Sequence, residues 1–184
     1  MTTIVAVVKN GNVTMGADSQ VTDNDRPNMH QRMEKITKNN GYLIAGSGDS
    51  TPCDIFQHIF VPPIPNANER KDLYKFMITK FIPAMRETLE ESGWKQDDKD
   101  PNSGFSMLFA YDGEVFDIGS DFSVLLNSDG IYGVGNGAKY AVGALYAGTS
   151  VEKALEIAAT NDIYTSGPFQ IVRQQKSTKN IKKA

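Results

Sequence analysis

Two threonines follow the initiator methionine, and a β-branched, apolar run follows them at once: MTTIVAVVK. A threonine hydroxyl is a weak nucleophile until a base takes its proton. Removal of Met1 would give Thr2 a free α-amine, whose reference pKa of about 7.7–8.0 leaves it able to accept a proton near neutral pH. One residue would then carry both nucleophile and base, which makes Thr2 the first candidate for covalent chemistry. Methionine ahead of a small residue is a normal target of aminopeptidase trimming. With Met1 attached, Thr2 has no amine to offer. The competing reading is that Thr2 and Thr3 merely open a strand, where threonine is common.

Other chemistries find less support. His30 lies in a polar loop and His58 in a helical pattern, neither within a nucleophile elbow such as GxSxG, so both read as surface or packing residues. Cys53 is the single cysteine, which excludes an internal disulfide and a cysteine-built zinc site. It starts a helix, where the dipole lowers a thiol pKa, but a small buried filler is the preferred reading. The stretch GVGNG, Gly133 to Gly137, follows a strand and opens a helix as phosphate loops do. Its spacing is not GxGxxG and no GK[ST] follows, so it reads as a tight turn that brings backbone close to another element. No cofactor and no metal are expected.

The elements that must position Thr2 follow from pattern. TTIVAVVK and NVTMGADS form a hairpin across Asn10-Gly11, with near-continuous apolar character that predicts burial on both faces. After the polar loop VTDNDRPNMHQRM, EKITK and YLIAG form a second hairpin. Thr51-Pro52 predicts a helix start over CDIFQHIF, and a longer helix begins near Asn68, kinked at Pro83. Beyond the polar loop WKQDDKDPNSG come strands FSMLFAY, EVFDI, FSVLL and IYGVG. Two helices follow, the second opened by a Thr149…Glu152 capping box, and FQIVRQ closes the chain as a strand. This order predicts an α+β fold, two packed antiparallel sheets with helix pairs outside, in one domain over 1–175. The basic end, 176–184, reads as a solvated, frayed tail, with contact to an acidic partner as the alternative.

Composition sets the outer bounds. The 184 residues suit one domain, and a net charge of -3 offers no global field for nucleic acid or an anionic membrane. No apolar run reaches the ~18 residues of a membrane span, and the start lacks a secretory pattern. A cytoplasmic protein is expected.

The motifs around Thr2 are specific in combination. TTIVAVVKNGNVTMGADSQVT resembles the amino end of proteasome β-type subunits, and most closely the bacterial heat-shock-locus (HslV) peptidases. In that family a mature TT is followed by two strands and a G/A-D-S/G-x-x-T motif, here Gly16 to Thr22. Lys35-Ile36 matches the family's lysine at the next strand, with Glu34 where a second basic residue often sits. AGSGDS places Gly48 in the turn that carries the oxyanion-hole glycine. Asp162 and Thr165 in NDIYTSG match an aspartate followed three positions later by a hydroxyl residue. The similarity runs from Thr2 to Val172. One departure stands out: the family's GSG serine aligns with Val134 when Gly133-Val134-Gly135 is superposed, with Asn136 as the candidate substitute.

The resemblance implies a four-layer αββα sandwich of the N-terminal nucleophile hydrolase type and a threonine peptidase. Thr2 would attack a peptide carbonyl with its amine as base. Lys35 would favour the neutral amine, Asp18 would hold Lys35, and the Gly48 N–H would receive the oxyanion. Asp162 and Thr165 would orient the amine. The family implies a homo-oligomeric ring fed with unfolded polypeptide by an ATP-dependent unfoldase. Two alternatives stay open: an inactive structural or assembly subunit, including one of viral origin, and an amidase acting on a small amide.

Overall fold

The computed structural model describes residues 2–23, 26–28, 34–97 and 103–176. Met1, His30 and the tail 177–184 lie outside the described residues, as do parts of both long polar loops.

Three Asx-Gly pairs set the hairpins. Asn10 and Gly11 both have positive φ, as do Asn40 and Gly41, and Asp112 and Gly113. That geometry turns a strand back within two residues and matches strand twist. The hairpins are β1 (Thr3–Lys9) with β2 (Asn12–Ala17), β5 (Ile36–Asn39) with β6 (Tyr42–Gly48), and β7 (Phe105–Tyr111) with β8 (Glu114–Gly119). Two further strands complete the first sheet: β10 (Ile131–Gly135) beside β1 and β11 (Gln170–Gln175) beside β2, in the order β10-β1-β2-β11. The second sheet runs β5-β6-β7-β8-β9, where β9 is only Val124–Leu125 of the expected FSVLL strand. A separate ribbon pairs β3 (Val21–Asp23) with β4 (Arg26–Asn28). All pairings are antiparallel.

Helices cover the outer faces. Helix α1 (Ser50–Asp54) continues as a π-helical turn over Ile55–Ile59. Its cap is Asp49, which accepts from the Thr51 N–H, so the helix starts two residues before the expected Thr51-Pro52. The long helix starts later than Asn68: a 3₁₀ turn over Glu69–Lys71 precedes α2 (Leu73–Phe76), capped by Asp72. A π-helical segment, Met77–Phe81, joins α2 to α3 (Ile82–Glu91). Pro83 lies just past that segment; a wider turn accommodates a residue that lacks an N–H and crowds the carbonyl four residues back. Helices α4 (Ala138–Tyr146) and α5 (Val151–Asn161) lie on the other side. Ser150, not Thr149, caps α5 through the Lys153 N–H.

Three apolar layers result. Phe56, Phe60, Phe81, Met85 and Phe109 join α1 to α3 to the second sheet. Ile4, Ala6, Met15, Leu108 and Val134 fill the space between sheets. Val5, Ala141, Leu155 and Ala158 join the first sheet to α4 and α5. Alternate residues of β1 thus enter different layers, which explains its unbroken apolar run. The architecture is the αββα sandwich. Its consequence for chemistry is that the head of β1 is fixed between two sheets.

Candidate active site

Thr3 is the first strand residue and is fully buried. Its N–H donates to Asp18 Oδ1 at 2.8 Å, and its carbonyl accepts from the Asp18 N–H at 3.0 Å. Thr2 precedes it, half-buried, with its carbonyl accepting from the Asn136 N–H at 2.9 Å. The terminus of β1 therefore has its backbone bonded on both sides, and Thr2 cannot swing as a loose end.

Asp18 is 1% exposed and collects several donors. Besides the Thr3 N–H, Oδ1 accepts from Lys35 Nζ at 2.7 Å, while Oδ2 accepts from the Gln20 N–H at 3.0 Å. Lys35 Nζ also donates to the Gln20 carbonyl at 2.6 Å, which commits two of its three N–H bonds. Burial pushes the Asp18 carboxyl up, and Lys35 with the two backbone N–H groups opposes that push. Burial likewise lowers the Lys35 ammonium, against the pull of Asp18. A lysine lowered in this way gives up its proton more readily than one in water.

The second carboxylate reaches the same residue by another route. Thr165 Oγ1 donates to Asp162 Oδ2 at 2.5 Å and lies 2.6 Å from Thr3 Oγ1. A hydroxyl has one proton. With the Thr165 proton on Asp162, Thr3 must donate to Thr165, and Thr3 Oγ1 in turn accepts from the Gly137 N–H at 3.0 Å. Donation runs from Gly137 through Thr3 and Thr165 to Asp162, the final acceptor. Thr165 thus bonds to Thr3 and Asp162 reaches it only through Thr165, one residue beyond the amine that the sequence assigned to them.

The GVGNG stretch is the tight turn expected of it. A side chain at Gly135, where φ is +92°, would lie 2.0 Å from the Thr2 carbonyl oxygen and 2.9 Å from Ser47 Oγ. One at Gly137 would strike Thr3 Oγ1 and Thr165 Oγ1 at 2.4 Å. Only glycine admits such approach. Val134 pairs with Ile4 and packs between the sheets. Asn136 occupies the turn against Thr2.

Gly48 ends β6 with φ of +110°, and a Cβ there would lie 2.3 Å from the Gly104 carbonyl oxygen. It borders an open, polar groove of about 730 Å³ that runs past Asp49, Thr51 and Trp94. Its neighbour Ser47 and the Thr2 carbonyl both border Gly135. Cys53 is buried against the helix layer, with its thiol pushed up to about 12 by burial and by Asp54 and Asp49. His58 is exposed on the π-helical turn. Among the described residues no cluster of acidic, histidine or cysteine side chains could hold a metal ion.

Sequence reasoning missed Gln20, whose N–H and carbonyl close the ring around Asp18 and Lys35. It lies inside the quoted GADSQVT motif, but its contribution is backbone and leaves no side-chain signal. It also missed the hub role of Thr3, which only the fold reveals.

No family model matches the chain. It is 28% identical over 186 aligned positions to the ATP-dependent protease subunit HslV of Caldicellulosiruptor saccharolyticus, covering 93% of this chain and 97% of that one. It is an HslV-like chain. Solved structures agree on the fold. Thiobacillus denitrificans BPH in complex with epoxomicin matches with a TM-score of 0.73 at 21% identity, over 95% of this chain and 99% of that one. The eukaryotic HslV from Trypanosoma brucei matches with a TM-score of 0.65 at 20% identity, over 94% and 99%. The HslV likeness extends along nearly the whole chain and supports a threonine-type, proteasome-like peptidase. Among the described residues no helix is long and apolar enough to cross a membrane.

Proposed function

We propose that the chain is an N-terminal threonine peptidase that becomes competent when Met1 is removed. The observation that carries this reading is the Asp18–Lys35 pair bonded to the Thr3 N–H, one residue from Thr2. A structural subunit has no use for an ammonium and a carboxylate buried at the head of a strand.

In this mechanism the Thr2 amine takes the proton of the Thr2 hydroxyl, and Oγ1 attacks the substrate carbonyl. The Lys35 charge nearby favours the neutral amine and stabilises the developing alkoxide. Asp18 holds Lys35 in place. The Gly48 N–H receives the oxyanion, a contact worth ~2.7–4 kcal/mol in comparable sites. The amine then protonates the leaving nitrogen, and water releases the acyl-enzyme. Asp162 and Thr165 act through Thr3, whose fixed position aims the preceding residue.

The HslV relative is by name a subunit of an ATP-dependent protease. For this chain we carry over a homo-oligomeric ring, an ATP-driven unfoldase partner and unfolded polypeptide as substrate, with residues 1–175 as the peptidase unit. The peptidase itself needs no cofactor.

The test uses protein with Met1 removed and a fluorogenic peptide amide. Activity is expected to rise with pH as the Thr2 amine loses its proton, and Thr2→Ala should abolish it. Hydrolysis that persists in Thr2→Ala would refute the assignment.

A further inference from the structure

Asp18 follows β2 in the first sheet, and Lys35 precedes β5 in the second. The ion pair therefore bridges two sheets whose shared core is apolar, and apolar contact is non-directional. Something directional has to hold Lys35 in register with Asp18.

Gln170 is placed to do so. It is the first residue of β11 and stands opposite Ala17, the neighbour of Asp18. Its side chain spans to the other sheet, where Oε1 accepts from the Ile36 N–H at 2.9 Å and Nε2 donates to the Ile36 carbonyl at 2.8 Å. This double bond reproduces what a neighbouring strand would give Ile36, whose other side pairs with Ala45. Gln57 holds the opposite end of the same peptide group: its Nε2 donates to the Lys35 carbonyl at 2.7 Å. Both polar ends of the Lys35–Ile36 peptide plane are thus gripped by side-chain amides, which fixes the direction in which the Lys35 side chain departs.

We propose that Gln170 is a positioning residue: together with Gln57 its amide orients the Lys35–Ile36 peptide so that the Lys35 ammonium meets Asp18 beside Thr2. The inference rests on the peptidase reading for its consequence, not for its geometry. The fold supplies its own control. Gln174, on the same strand, also reaches the second sheet, donating to the carbonyls of Gly41 at 2.8 Å and Ala110 at 3.2 Å, away from Lys35.

The experiment compares Gln170→Met with Gln174→Met, each studied at a temperature where circular dichroism shows it folded. Two readouts are taken: the rate of acylation by a peptide vinyl sulfone, and the pH titration of Lys35 in protein carrying ¹⁵N-labelled lysine. The Lys35 resonance is assigned by its loss in Lys35→Arg. Gln170→Met should slow acylation roughly tenfold to a hundredfold, the scale of a displaced catalytic group. It should also move the Lys35 midpoint up towards that of a solvated lysine, with Gln174→Met changing neither. Equal effects from both variants, or an unmoved Lys35 midpoint in Gln170→Met, would overturn the proposal. If wild-type protein lacking Met1 is not acylated and the Lys35 midpoint still moves in Gln170→Met alone, the positioning role stands and the peptidase reading falls.

Discussion

Asp18 and Asp162 approach Thr3 from opposite sides and are held by different means. Asp18 is sealed off, grips the Thr3 backbone, and faces an ammonium across a 2.7 Å contact. Asp162 is half-buried and reaches the Thr3 side chain through a hydroxyl. A carboxylate away from water needs a cation and backbone donors, whereas one at the edge can rely on neutral partners and solvent. The first arrangement places charge where a reaction can use it; the second locks a side chain. In the proposed mechanism chemistry falls to the Asp18 side and alignment to the Asp162 side.

Four perturbations test this division, in falling order of expected effect. Lys35→Ala should slow acylation by roughly 10²- to 10⁴-fold, the scale of acid–base contributions. Breaking the buried pair also costs stability, so the rate is read at a temperature where the variant is folded; acylation at the wild-type rate there would make Lys35 a structural lysine. Asp18→Ala leaves the Lys35 charge and two N–H groups unmatched, and urea unfolding should show a loss of about 3–5 kcal/mol. Thr3→Val keeps shape but deprives the Gly137 N–H and Thr165 of their partner, costing about 1–3 kcal/mol in the same assay. A Thr3→Val protein as unstable as Asp18→Ala would erase the distinction between the two sides.

The smallest effect is in pH. Burial raises Asp18, so its share of stability is present below the ordinary aspartate value of about 3.9 and is lost as pH rises through the folded value. Burial lowers Lys35, so its share is present above about 10.4 and is lost as pH falls through the folded value. Both signs make the pair least favourable to folding between those limits. Relative to an Asp18→Asn/Lys35→Met double variant, the wild-type urea midpoint should therefore decline from pH 4 towards pH 7. A steady rise over that interval would reverse the sign.

Legibility in the sequence tracked the length scale of each interaction. The Asn10-Gly11 and Asp112-Gly113 turns were readable because two adjacent residues fix a turn. The β1 run was readable because both of its faces are buried. The meeting of Asp18 and Lys35 at the head of β1 was legible through separated motifs. Two caps were misplaced by one or two residues, since Asp49 competes with Thr51 and Ser150 with Thr149, and spacing alone does not choose between neighbours. The burial of Val134 opposite Ile4 was not readable from the overlapping GVG and GNG, because it rests on a β10 pairing across more than a hundred residues. Gln57 and Gln170 gave no signal at all, because a glutamine that grips another strand's backbone looks like any surface glutamine until the sheets are stacked.

Thr2, freed of Met1, is the proposed nucleophile. Intact-mass analysis after incubation with a peptide vinyl sulfone tests it most directly. The expected result is a single species lacking Met1 and carrying one inhibitor, with no adduct on Thr2→Ala. An adduct that survives in Thr2→Ala, or one on protein that retains Met1, would contradict it.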